Sequence, residues 1–189
     1  MLQQSFSSKP GLARYNAPAQ ALHWITLVVI FTLLPLGWVM VNMDEHKPAR
    51  GTLFFVHKSF GVLALGLIVA RLGWRALRPA PGLPPQTAKW EIGLAHATHA
   101  FLYLIFIVMP VSGYITSSAG GHPVSLFGLP LPQLPKDKAL SDLAGQIHVA
   151  GQYLVYFFLG VHILGVVWHV AVRKDGYLAR MLPEQINAE

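Results

Sequence analysis

The sequence predicts an all-α protein, an integral membrane four-helix bundle forming one transmembrane domain over residues 1–189. Hydrophobic residues make up 53% of the chain and charged residues only 12%. That is about half the charged share of a soluble domain, too little to cover a globule. The apolar residues also gather into four blocks, about 19–41, 53–75, 93–116 and 144–172. Each can cross a hydrocarbon core of about 30 Å at about 1.5 Å per residue.

Local signals agree with these four spans. Asn16 and Pro18 suit the opening turn of the first helix. Its apolar run is too long for a signal-peptide core, and Asp44, Glu45, His46 and Lys47 follow it in place of a small-residue cleavage site. The second span ends in basic residues. Pro79, Pro81, Pro84 and Pro85 then mark a non-helical connection to the third. Gly120, Gly121, Pro123, Pro130, Pro132 and Pro135 mark another, and Ser141 is the expected N-cap of the fourth helix.

Counting Lys and Arg by loop orients the bundle. Lys9 and Arg14, then Arg71, Arg75, Arg78 and Lys89, then Arg173, Lys174 and Arg180 lie on one side. Lys47, Arg50, Lys58, Lys136 and Lys138 lie on the other. The richer side is expected in the cytoplasm, with both termini there. Trp24, Trp74, Trp90 and Trp168 fall near the inner surface and Trp38 near the outer one, as an aromatic belt would. The net charge of +6 comes without a basic run, so it reports topology and not nucleic acid.

The chain has no Cys, which excludes disulfides, thiolate zinc, iron–sulfur clusters and covalently attached haem. It has nine His, most of them in or beside the spans. Ionisable side chains inside a bilayer are costly and face a partner in the bundle interior. His148 and His162 are fourteen residues apart, almost four turns, so they share one helix face at depths about 21 Å apart. The second span descends from outside, which sets His57 at the depth of His148. The first ascends from inside, which sets His23 at the depth of His162.

Two His–iron–His sandwiches stacked across the membrane follow, one haem b held by His57 and His148 and a second by His23 and His162, both non-covalent. Iron with two axial imidazoles has no open position, which favours electron transfer over oxygen binding. His169, seven residues beyond His162 and near the interface, is the alternative inner ligand. Zinc also takes imidazole, but the pairs lie too far apart for one tetrahedral site and no Cys or buried carboxylate completes either. Lys58, Arg71 and Arg75 are candidates to pair with haem propionates. His96 and His99 are candidates for a quinone or a propionate, or for interfacial hydrogen bonds. His46 and His122 carry no assigned role. Gly61, Gly151 and Gly165 would let a flat macrocycle approach the backbone, or would serve helix packing.

These residues resemble the bacterial cytochrome b561 family of di-haem membrane proteins. The likeness runs from about Arg14 to Pro183 and rests on R-Y-N-A-P-A-Q-A-L-H-W (14–24), V-H-K-S-F-G (56–61), the basic end of span two (71–75), G-L-A-H-A-T-H (93–99), and the fourth helix with His148 and His162. The resemblance implies two b-type haems on the same four histidines. It also implies a multi-pass protein of the bacterial inner membrane that exchanges electrons with ubiquinone. Some relatives oxidise periplasmic superoxide and pass the electron to ubiquinone, and others are cytochrome subunits of hydrogenases and related dehydrogenases. A superoxide:ubiquinone oxidoreductase is therefore expected, with a relay docked to a redox partner protein as the alternative. The outer lysines and Arg50 would steer superoxide. Asp44, Glu45, Asp137 and Asp142 leave that side near +1, which weakens the steering.

Overall fold

Asn16 opens the first helix of the computed structural model, which describes residues 12–84 and 86–183. Its side chain accepts from the Ala19 N–H at 3.1 Å, and α1 runs Ala17–Asn42. Helix α2 (Pro48–Leu77) starts on a proline, whose missing N–H would be unpaired there anyway. Helix α3 (Lys89–Ala119) starts where the Glu91 carboxylate accepts from the Ala88 N–H. Helix α4 (Lys138–Val167) passes into a π-helical turn, Trp168–Arg173, and then a 3-10 turn, Tyr177–Met181. All four are long and apolar enough to cross a membrane. Lys9 and Pro85, used above for charge and for a loop, lie outside the described residues.

One expectation is corrected. The N-cap of α4 is Asp137, which accepts from the Leu140 N–H at 3.0 Å, and not Ser141. Ser141 lies inside the helix and its hydroxyl donates across to the Thr116 carbonyl. The connection from α3 to α4 is non-helical, as its Gly and Pro residues lead one to expect. It holds a small antiparallel ribbon, β1 (Ser125–Leu126) and β2 (Leu129–Pro130), turned at Phe127 and Gly128. Both turn residues have positive φ, 48° and 96°, as a two-residue hairpin requires. The left-handed Phe127 is held by its N–H to Ser59 Oγ and by an edge-on contact with Phe60.

Helix α3 packs on α4, α1 on α2, and α2 on α3, whereas the bodies of α1 and α2 scarcely touch α4. Pro35 and Pro110 lie inside α1 and α3. The core is a belt of Val29, Ile30, Ala64, Ile68, Leu102, Ile105, Phe106 and Val155, drawn from all four helices. At the terminal end, Arg180 is buried and donates to the carbonyls of Ala13, Pro81 and Gly82. Trp24, Trp74 and Trp168 also give their indole N–H groups to protein acceptors there. The opposite end carries the ribbon.

Candidate functional site

Helix α4 presents two histidines to the gap that separates it from α1 and α2. At the ribbon end, the rings of His57 (α2) and His148 (α4) have centroids 6.2 Å apart and planes at 85°. At the terminal end, His23 (α1) and His162 (α4) have the same 6.2 Å separation, at 64°. Imidazole–metal bonds of about 2 Å, with ring centroids about 1.1 Å behind the ligating nitrogens, place two axial rings about 6.3 Å apart. Both pairs meet that distance, and both bridge helices that otherwise barely contact each other.

The ribbon-end pair sits on a cavity of about 930 Å³ lined by Arg50, Lys58, Gly61, Gly113, Lys136 and both histidines, among others. That is the upper range of cofactor sites. The His148 Nδ1–H donates to the Met109 carbonyl at 2.8 Å, and Ser112 Oγ lies 3.3 Å from the same nitrogen. With its proton held at Nδ1, His148 offers an Nε2 lone pair. His57 Nδ1 is buried without a hydrogen bond. A bare pair of ring nitrogens across a large gap fits a planar metal macrocycle. Lys58 reaches the Pro123 carbonyl at 2.6 Å and Ser117 Oγ at 3.3 Å. Lys138 and Arg50 are paired with Asp142 and Glu45.

The terminal-end pair is more tightly filled. Its cavity is only about 60 Å³ and is lined by His23, Arg71, His99, Tyr103, Phe106 and His162, among others. Arg71 Nη2 lies 3.1 Å from His23 Nδ1, and its guanidinium stands over Tyr103. His99 donates from Nδ1 to the Ala95 carbonyl at 2.6 Å, and its ring is 5.2 Å from that of His162. The donors and spacing match those of the ribbon-end pair, but a cavity of this size takes a macrocycle only when the side chains that line it, Arg71 among them, give way.

The other singled-out residues separate cleanly. His169 is held by Asp175 at 2.7 Å and stacked on Tyr177 at 4.1 Å, away from the terminal-end cavity. Arg75 and His96 are exposed and line neither cavity. Gly61 lines the ribbon-end cavity, whereas Gly151 backs onto Met109, a helix-packing contact. A Cβ on Gly165 would meet nothing within 4 Å. Sequence reasoning missed Gly37 and Gly113, whose open faces receive the rings of His57 and His148. Their position beside Pro35 and Pro110 on the non-ligand helices was the available signal.

Comparison with known proteins bears on this arrangement. The family described as prokaryotic cytochrome b561 matches residues 14–184. Cytochrome b561 homolog 2 of Escherichia coli (strain K12) is 32% identical over 180 residues, covering 94% of this chain and 95% of that protein. Probable superoxide oxidase CybB of Yersinia pestis is 28% identical over 177 residues, covering 91% and 97%. Cytochrome b561 homolog 1 of Escherichia coli (strain K12) is 25% identical over 177 residues, covering 91% and 98%.

Proposed function

This chain belongs to the prokaryotic cytochrome b561 family, and on that premise we propose that it carries electrons between two haems b, from periplasmic superoxide to ubiquinone. Membership itself gives the broader statement. The chain is a multi-pass protein of the bacterial inner membrane, in contact with lipid, that binds haem b and transfers electrons. The observation that carries the two-haem part of this reading is the equal 6.2 Å spacing of the two imidazole pairs.

Haem supplies reversible one-electron chemistry at each level. The residues hold and insulate it. His57 and His148 would hold the haem at the ribbon end, and His23 and His162 the haem at the terminal end. The Met109 carbonyl keeps the proton on His148 Nδ1 and so leaves Nε2 to coordinate. Arg71 and Lys58 supply cations for propionates, since each lines one of the two cavities. The apolar belt between the levels excludes water.

The ribbon end faces the periplasm in this reading, as the lysine and arginine count expects. Lys58 and Lys136, both on the wide cavity and in no acidic ion pair among the described residues, would draw a small anion inward. The relative described as a probable superoxide oxidase supports this choice of donor. Two superoxide anions give up one electron each and leave as two dioxygen molecules. One ubiquinone takes both electrons and two protons to become ubiquinol. His99, with its Nε2 uncommitted beside His162, is the candidate quinone contact.

A superoxide flux should reduce the haems of purified protein, and added ubiquinone should reoxidise them. Haems that stay oxidised under the flux would remove the superoxide reading. A relay to a docked redox protein is the second reading, favoured by the exposed Phe127 and Leu129 at the ribbon. It would be supported by a copurifying dehydrogenase with little turnover of the isolated chain.

A further inference from the structure

The two histidine pairs differ in what stands behind the rings. A Cβ placed on Gly113 would lie 2.8 Å from His148 Cε1 and 3.0 Å from its Nδ1. A Cβ placed on Gly37 would lie 3.2 Å from His57 Cε1. Each glycine is on the helix that carries no ligand to that site, Gly113 on α3 and Gly37 on α1. Each lies four residues after a carbonyl turned to the same ring. The Met109 carbonyl accepts from His148, and the Leu33 carbonyl faces His57 without forming a hydrogen bond to Nδ1. Each is also close behind a mid-helix proline, Pro110 or Pro35, whose missing N–H leaves the carbonyl four residues earlier, Phe106 or Phe31, without its helical partner. Among the described residues, no glycine meets His23 or His162 in this way.

We propose that Gly113 and Gly37 are positioning residues, two seats that fix the imidazole planes of the ribbon-end pair. They would set the potential and spectrum of that haem independently of the other. The inference rests on the di-haem reading above. Glycine inside a helix is destabilising relative to alanine, and here the missing Cβ is what lets the ring approach the carbonyl. A ring pushed outward from Gly113 loses its short bond to Met109 and becomes a weaker base. Weaker donation favours ferrous over ferric iron, so the potential of that haem rises.

The test uses the haem-loaded protein in detergent, comparing wild type with Gly113→Ala, Gly37→Ala and Gly73→Ala. Gly73 is in α2, where an added Cβ meets nothing within 4 Å. The readouts are haem stoichiometry, low-temperature EPR and a redox titration. Greater angles between axial imidazole planes give greater g anisotropy, so the 85° pair identifies the ribbon-end haem against the 64° pair. Gly113→Ala and Gly37→Ala should move that signal and leave the other in place. Gly113→Ala should raise its potential by a tenfold change in the redox equilibrium, about 59 mV for one electron. Gly73→Ala should move neither haem.

Signals and potentials that stay fixed in both seat variants, or that move equally at both haems, overturn the proposal. If Gly113→Ala loses one haem, survival of the 64° signal supports the seat and its loss overturns it. Ser112→Ala, which leaves the glycine in place, gives a second test. It should shift only the ribbon-end signal, and a shift of the other haem counts against the seat. Wild-type protein with fewer than two haems per chain would defeat the di-haem reading itself, a distinct result.

Discussion

The Arg71 guanidinium stands 3.1 Å from Nδ1 of His23. Guanidinium only donates, and a neutral imidazole that accepts at one ring nitrogen carries its proton on the other. While this bond persists, His23 has no lone pair to give to iron. Arg71 would therefore have to turn away for a haem to be ligated there, and a propionate would offer it a carboxylate to turn to. Replacing Arg71 by Leu should leave two haems in place. It should lower the potential of the terminal-end haem by on the order of 1 kcal/mol, because a nearby positive charge destabilises ferric iron. A redox titration of the variant checks this, and an unmoved potential would detach Arg71 from the haem.

The histidine pairs make separable expectations. His57→Ala and His148→Ala should each halve the haem content and remove the ribbon-end spectrum. His23→Ala and His162→Ala should each remove the other. His169→Ala should keep both haems, since its ring is engaged by Asp175 and Tyr177. Haem stoichiometry with EPR measures all five, and loss of the terminal-end haem in His169→Ala would reassign that ligand.

Arg180 should matter for stability and not for colour. Arg180→Ala removes donors from three backbone carbonyls that join residues before α1, the α2–α3 connection and the 3-10 turn. An acceptor left unpaired costs about 1–3 kcal/mol where it is fully buried, and less here, because Ala13 and Gly82 are exposed and Pro81 is half-buried. Some of that cost is relieved by water at the membrane surface. Thermal melting in detergent should show a clear loss, with an unchanged reduced-minus-oxidised spectrum in the surviving protein.

Topology is open to fusion reporters. A C-terminal green fluorescent protein should fluoresce and a C-terminal alkaline phosphatase should be inactive, while phosphatase inserted at Gly128 should be active. The reverse pattern would turn the bundle over, and superoxide would then have to meet the other haem.

The four helices were legible because length and hydropathy are sums over many residues. The juxtaposition of His57 with His148 and of His23 with His162 was legible because helix rise is fixed. Finer features depended on local choices between comparable signals. Asp137 and Ser141 are both good N-caps. The apolar run favours Ser141, yet the loop returns Asp137 to the end of α3, where its N–H meets the Ala119 carbonyl. Phe127–Gly128 turns a hairpin without the usual Asn-Gly pair, so the ribbon left no mark. Arg180 counted as one more inner charge, because a count does not see burial. Gly61, Gly151 and Gly165 drew attention by lying near the histidines in sequence. The glycines that touch those rings are on neighbouring helices, a relationship only the folded bundle reveals.

The belt of Val29, Ile30, Ala64, Ile68, Leu102, Ile105, Phe106 and Val155 lies between the two histidine levels. Val155 is midway between His148 and His162 along α4. The belt makes the centre of the bundle a dielectric in the electrical sense, open to tunnelling and closed to ions. An electron passing between haems at these two levels, about 21 Å apart, would cross about two thirds of a 30 Å core. Such a step works against or with the resting voltage by about 1.5 kcal/mol per 100 mV, two thirds of the value for a full crossing. Turnover would then be a current, and its rate in sealed vesicles should follow the sign of an imposed potential.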